Sequence, residues 1–260
     1  MLKLSLLVDS FSDCISDQLE IVKSFDLNHI ELRNINGKSI VENSDNEIYD
    51  ILNALNKENV SVSSLCTVIG KPTIDETFDV QIKKLLKSLK IAKILKSRNI
   101  RIFSDINSPQ LKLKKLLKRF AEKYQINICI ENEKNSVLEK LTHINKFFHC
   151  NNPKGMGLTL DIANLVEVGE SPLEVIDSLS EKATYFHIRD LGIDYKETNM
   201  FEGICDIKYL ISSTYSMNKF FTYEPKLKHI SDMNRYDFFS NNVNKLINFM
   251  REENKNVILQ

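Results

Sequence analysis

Four side chains able to hold a divalent cation recur through the second half of the chain, each with a short apolar run. Glu131 follows Ile128-Cys129-Ile130, Asp161 follows Leu158-Thr159-Leu160, His187 ends Ala183-Thr184-Tyr185-Phe186, and Glu224 follows Phe220-Phe221-Thr222-Tyr223. One imidazole with three carboxylates is a mostly oxygen donor set, hard enough to favour Mg²⁺ or Mn²⁺, with Co²⁺ admitted through the histidine. An ion held with open positions can bind the carbonyl and hydroxyl oxygens of a polyol and stabilise an enediolate. A carboxylate beside that carbon then moves the proton. Glu131 and Glu224 are the candidate acid-base pair, set to serve opposite faces of one carbon or two neighbouring carbons.

What must position these residues is a set of strands that deliver them to one rim. Successive candidates are 30, 26 and 37 residues apart, close to the roughly 30 residues of one strand-helix unit in an eight-unit barrel. Such barrels keep their sites at the carboxyl ends of the strands. Taken singly, each acid is more often a salt-bridge or loop-capping residue; recurrence at unit spacing makes the cluster.

Read in order, the chain alternates. Leu2 to Val8 is a strand, and Asp13 to Phe25 is a helix with Ile15, Leu19, Val22 and Phe25 on one face. His29-Ile30-Glu31-Leu32-Arg33 is the second strand, with Glu31 and Arg33 expected to pair with each other, before a helix near Glu47 to Asn59. The β-branched Val60 to Cys66 is the third strand, followed by a long helix over Asp75 to Ser97. Ile100 to Ser104 and a helix over Pro109 to Tyr124 come next, and the lysines of both helices read as solvated faces. Ile126 to Ile130 precedes a helix from about Ser136 to Phe148. The strand ending at Asp161 leads to a helix begun by Ser171-Pro172, an N-cap followed by proline at the first helical position. The strand ending at His187 leads, after a long loop, to a helix over Asp206 to Tyr215; the strand ending at Glu224 leads to Tyr236 to Glu253. Eight strands alternating with eight helices, without a Pro- or Gly-rich linker, predict a single (β/α)8 TIM barrel over residues 1–260.

Composition agrees and narrows the partners. The length of 260 residues suits a barrel of about 250, and 35 basic residues against 35 acidic ones give no field favouring nucleic acid or an anionic membrane. The expected partner is a small molecule, with no nucleic acid and no membrane, and the chain is free to form a homo-oligomer. The odd set Cys14, Cys66, Cys129, Cys150 and Cys205 has no CxxC spacing, so reduced, buried thiols are expected rather than a disulfide frame or thiolate zinc site. The N-terminal apolar stretch is too short for a secretory signal, and no run approaches a membrane span, so a cytoplasmic protein is expected. Further candidates surround the rim. Glu133 is a substrate contact or a solvated loop residue, Asn164 a substrate contact or an Asx turn, and Lys71 beside Gly70 a phosphate holder or a surface lysine.

Several stretches, in order along nearly the whole chain, resemble the xylose isomerase-like superfamily, in particular its sugar phosphate isomerase/epimerase branch. They are His29-Ile30-Glu31-Leu32-Arg33, Ser63-Ser64 leading to Ile69-Gly70-Lys71, Ile102-Phe103-Ser104, Glu131-Asn132-Glu133, Leu160-Asp161-Ile162-Ala163-Asn164, His187-Ile188-Arg189-Asp190, Phe201-Glu202-Gly203 and Tyr223-Glu224-Pro225. The resemblance implies a xylose isomerase-like TIM barrel with Glu131, Asp161, His187 and Glu224 as ligands of Mn²⁺, Mg²⁺ or Co²⁺. It implies the two glutamates as the proton-transfer pair, and Glu133, Asn164, Arg189, Lys71 and Glu202 as substrate contacts. It implies a sugar or sugar phosphate isomerase/epimerase of carbohydrate metabolism. The alternatives are a dehydratase or lyase on the same site and a non-catalytic sugar-binding barrel. A DNA-repair endonuclease of the same superfamily would need more histidines on the rim and a phosphate-binding charge footprint. The chain departs from the pattern at three positions. It has Arg189 where the family has Lys, Lys226 where it has His, and Phe201 where it has Gly, a change expected to reshape the substrate-side loop.

Overall fold

The computed structural model describes residues 3–106, 110–148 and 155–258. Eight parallel strands close on themselves: β1 (Leu4–Leu6), β2 (His29–Leu32), β3 (Ser61–Cys66), β4 (Asn99–Ile102), β5 (Asn127–Glu131), β6 (Met156–Asp161), β7 (Ala183–Ile188) and β8 (Phe220–Tyr223), with β1 seated between β2 and β8. The expected (β/α)8 barrel is the observed fold. Around it run α1 (Ile15–Ser24), α2 (Asp45–Glu58), α3 (Phe78–Ile94), α4 (Gln110–Tyr124), α5 (Leu141–Phe148), α6 (Ile162–Val166), α7 (Pro172–Leu179), α8 (Ile207–Thr214) and α9 (Arg235–Ile258). Local sequence accounts for the starts of two helices. Ser44 caps α2 in a reciprocal box with Glu47, and Pro172 opens α7 after Ser171.

Three details differ from the sequence reading. The fifth helix begins at Leu141 rather than near Ser136, because 136–140 form a turn in which Ser136 Oγ accepts from Leu138 N at 3.0 Å. A short extra helix, α6, follows β6 directly, capped by Asp161 Oδ1, which accepts from Asn164 N at 3.1 Å. The long loop after His187 is an antiparallel ribbon that pairs Asp190–Leu191 with Glu197–Thr198. Pro109 and Cys150 lie outside the described residues. Of the other cysteines, Cys66, Cys129 and Cys205 are buried, whereas Cys14 is exposed; all four are free thiols. No helix among the described residues is long and apolar enough to cross a membrane.

Between β6 and β7 the register slips: Leu158 faces Ala183 but Thr159 faces Tyr185, so Thr184 is the extra residue of a bulge. Its side chain fills the space above Gly157, where an added Cβ would meet Thr184 Oγ1 at 1.9 Å and Cβ at 2.6 Å. Rotation of Thr184 cannot relieve the second contact. Gly157→Ala is therefore expected to destabilise the barrel by about 1–3 kcal/mol, the usual cost of overpacking, read as a lower urea midpoint. The same slip sets Asp161 level with His187, so the register that positions the rim depends on it.

Candidate functional site

Three of the four sequence-predicted ligands meet at one point. Single donor atoms of Glu131, His187 and Glu224 all lie within 4.8 Å of one another. His187 Nδ1 is 3.2 Å from Glu131 Oε1 and 2.9 Å from Glu224 Oε2. The ring's other nitrogen, Nε2, is 3.1 Å from both oxygens of Glu31. Beneath it, Tyr185 packs edge-on with ring centroids 5.8 Å apart, its hydroxyl donating to Ser63 Oγ at 2.8 Å. The imidazole is thus fixed from below and from the side.

Each glutamate divides its two oxygens. Glu131 turns Oε1 to His187 and Oε2 to Arg101 Nε, 2.8 Å away; Glu224 turns Oε2 to His187 and Oε1 to Arg33 Nη1, also at 2.8 Å. Arg33 is held in turn by Asp9, with Nη2 2.7 Å from Oδ1. Arg101 donates from Nη1 to Thr67 O at 2.6 Å, and its guanidinium lies over the Phe103 ring at 4.3 Å. Arg33 therefore does not pair with Glu31, as the sequence suggested. Closure of the barrel brings β8 and the Asp9 loop beside it, while Glu31, fully buried, points inward to reach His187.

These charges set the protonation states. Burial alone would lower the His187 imidazole, but Glu31, Glu131 and Glu224 together raise it well above its ordinary value. Burial alone would raise the Glu224 carboxyl, yet His187, Arg33 and Arg101 hold it well below the usual carboxylate range. Glu131 is likewise lowered, against burial, by Arg101 and His187.

The donor set fits a divalent cation. With a neutral imidazole, the linked carboxylates of Asp9, Glu31, Glu131 and Glu224 outnumber the guanidiniums of Arg33 and Arg101 by two charges. Glu131 Oε2, though buried and near Arg101, accepts no hydrogen bond. Nδ1 facing two carboxylates while Nε2 faces a third is the arrangement in which an outer carboxylate orients a metal-binding histidine.

Asp161, the fourth expected ligand, lines the same cavity of about 540 Å³ as Glu131 and Glu224 but stands outside the three-residue cluster. Its Oδ1 caps α6 and its Oδ2 lies 3.7 Å from Arg189 Nε. Burial raises its carboxyl more than Arg189 and Lys226 lower it. Glu133 and Lys71 also line the cavity, 3.6 Å apart, and Asn164 lines it from the start of α6. Arg189 lines an adjoining cavity and donates to Asn164 Oδ1 and Glu167 Oε1. Glu202 is not brought to the site; it is exposed and bonds Lys245 and Asn199. Phe201 keeps a left-handed backbone, φ 71°, the conformation glycine adopts freely. Its ring packs on Phe249 of α9 at 5.0 Å, on the outside of the barrel.

Glu197, which the sequence reading passed over, ties the loop after β8 to the ribbon. It accepts from the Lys226 backbone N–H and from Tyr223 OH. Burial pushes its carboxyl up to about 7, against the pull of those donors and of Arg189. A carboxyl raised in the fold contributes stability that is complete below its unfolded value of about 4.3 and is lost as pH rises through about 7. The wild type should therefore lose up to roughly 3 kcal/mol relative to Glu197→Gln between pH 4.5 and 8, measured by urea unfolding of both proteins across that range.

No protein-family model and no curated protein matches the sequence. Among solved structures the chain is similar to the probable 3-DHS dehydratase AsbF of Bacillus anthracis, with 16% identity over 95% of this chain and 99% of that one, TM-score 0.76. It is also similar to a xylose isomerase-like TIM barrel protein from Mycobacterium smegmatis in complex with magnesium, with 13% identity over 96% and 97%, TM-score 0.76. A third is D-psicose 3-epimerase in the presence of D-fructose, with 15% identity over 95% and 97%, TM-score 0.71. The fold is that of the xylose isomerase-like TIM barrels.

Proposed function

We propose that the protein is a divalent-metal-dependent isomerase or epimerase of a sugar or sugar phosphate. The observation that carries this reading is the convergence of Glu131, His187 Nδ1 and Glu224 within 4.8 Å, on the rim of a cavity large enough for a small polyol. Glu131, His187 and Glu224 would hold the ion, with Asp161 joining them by release from Arg189. When bound, Mn²⁺, Mg²⁺ or Co²⁺ supplies Lewis-acid polarisation of a substrate carbonyl.

The rest of the chemistry belongs to the chain's own groups. One glutamate carboxylate would take the proton from the carbon beside the carbonyl and, now protonated, return it at the adjacent carbon; for return at the opposite face of the same carbon, the other glutamate would first take up a proton from solvent. Arg33 and Arg101 keep both carboxylates ionised and ready to accept. Glu31 holds the His187 ring so that Nδ1 faces the cluster. Similarity to a magnesium-bound barrel and to a sugar epimerase supports this reading, and similarity to a dehydratase supports a second, in which the same proton abstraction expels water from the next carbon.

Incubation of the Mn²⁺-supplemented protein in D₂O with a panel of ketoses, aldoses and their phosphates tests both. Reversible deuterium incorporation beside the carbonyl is expected. Dehydration without exchange assigns the second reading, and neither reaction leaves a sugar-binding barrel. Failure to retain any divalent ion after supplementation would sink the proposal.

A further inference from the structure

We propose that the chamber beside the glutamate-histidine cluster is an oxyanion subsite centred on Lys226, which takes a phosphate ester or carboxylate carried by the substrate. The inference rests on the reading of the main cavity as a sugar site and narrows its substrates to anionic ones.

Two adjoining cavities, of about 540 and 340 Å³, share Lys226 and Lys228 as a common wall. In the larger, every acid already faces a cation: Glu131 has Arg101, Glu224 has Arg33, Glu133 has Lys71, and Asp161 has Arg189. In the smaller, Glu167 is bonded to Arg189, and the oxygens of Glu197 are taken by the Lys226 backbone and Tyr223. The two shared lysines are left over. Among the described residues Lys228 makes no ion pair, and the Lys226 ammonium bonds only the amide oxygen of Asn164, at 3.0 Å.

That oxygen is itself doubly committed, because Arg189 Nη2 donates to it at 2.9 Å. Two cations therefore converge on one neutral acceptor. Beside them Arg189 Nε is buried without a hydrogen-bond partner, its nearest carboxylate oxygen 3.7 Å away. An anionic group bridging Lys226 and Lys228 would supply the missing charge, and its oxygens are the acceptors this locus lacks. With a neutral sugar, neither ammonium would have a carboxylate in ion-pair contact among the described residues. Position 226 immediately follows Glu224-Pro225, so an anion held there anchors one end of a substrate whose other end reaches the cluster.

Isothermal titration of inorganic phosphate into the metal-free protein, prepared with EDTA, tests the subsite. Saturable binding is expected, weakened at least about tenfold in Lys226→Gln, retained in Lys226→Arg and unchanged in Lys90→Gln on the exposed face of α3. No saturable binding to the wild type, or equal binding to wild type and Lys226→Gln, overturns the subsite. The same samples are titrated with Mn²⁺. Retained Mn²⁺ binding by Lys226→Gln shows that the cluster and barrel survive the substitution. A wild type that binds phosphate but not Mn²⁺ upholds the subsite and rejects the metal-dependent reaction; one that binds Mn²⁺ but not phosphate rejects the subsite alone. Displacement of phosphate by glucose 6-phosphate assigns the phosphate ester, displacement by gluconate assigns the carboxylate, and displacement by neither overturns the link to an anionic sugar.

Discussion

Glu224→Gln and Glu131→Gln are each expected to lower turnover by at least roughly 10²-fold, the scale of losing a proton-transfer group. The substitution is nearly isosteric, so the packing around the cluster survives. What changes is charge and basicity. Burial, left to itself, would favour a protonated and useless Glu224; His187, Arg33 and Arg101 keep it ionised well below the usual carboxylate range. A glutamine there accepts no proton and leaves Asp9 as the only carboxylate partner of Arg33 among the described residues. The two substitutions also remove a ligand, so turnover must be read alongside Mn²⁺ occupancy, measured by metal analysis of the same preparation at saturating Mn²⁺. Loss of exchange with the ion still bound identifies proton transfer as the missing function. Near-native deuterium incorporation in either variant would remove that residue from the mechanism.

Glu31→Gln is expected to weaken Mn²⁺ binding by roughly 10–100-fold, the usual consequence of replacing the carboxylate that orients a metal-binding histidine. Both oxygens of Glu31 lie 3.1 Å from His187 Nε2, so with an ion bound the carboxylate would hold the tautomer protonated at Nε2, leaving Nδ1 to the ion. An amide still occupies the space but no longer stabilises a partial positive charge on the ring. Titration calorimetry with Mn²⁺ reads the change directly, without needing a substrate. An unchanged affinity would mean that His187 is oriented by Tyr185 and the barrel wall instead.

The architecture was readable because a barrel repeats. Apolar runs separated by amphipathic helices recur at unit spacing, and that periodicity led to eight strands, a closed ring and the convergence of Glu131, His187 and Glu224. The partners of those residues were harder to see. Arg101 lies inside the apolar run Asn99-Ile100-Arg101-Ile102, and a charge that interrupts a buried strand is a signal that it faces another charge. Glu31 and Arg33 looked like neighbours, but the ring brings β8 and the Asp9 loop next to β2 and separates their roles. No local rule anticipates contacts such as Arg33 with Glu224, 191 positions apart. The sequence pattern marks Asp161 as a ligand, while its position immediately before α6 also makes it a helix cap. The Phe201 turn kept its glycine-like backbone because the ring found Phe249 outside the barrel.

The division of each glutamate between an imidazole and a guanidinium has a consequence for metal traffic. Neither carboxylate can wrap an ion with both oxygens unless it first leaves its arginine, and two fixed positive charges stand close to where the ion would lodge. Large cations that demand many oxygens, calcium above all, are poorly served by such a cradle. A smaller cation, which needs fewer oxygens, would be better matched to it.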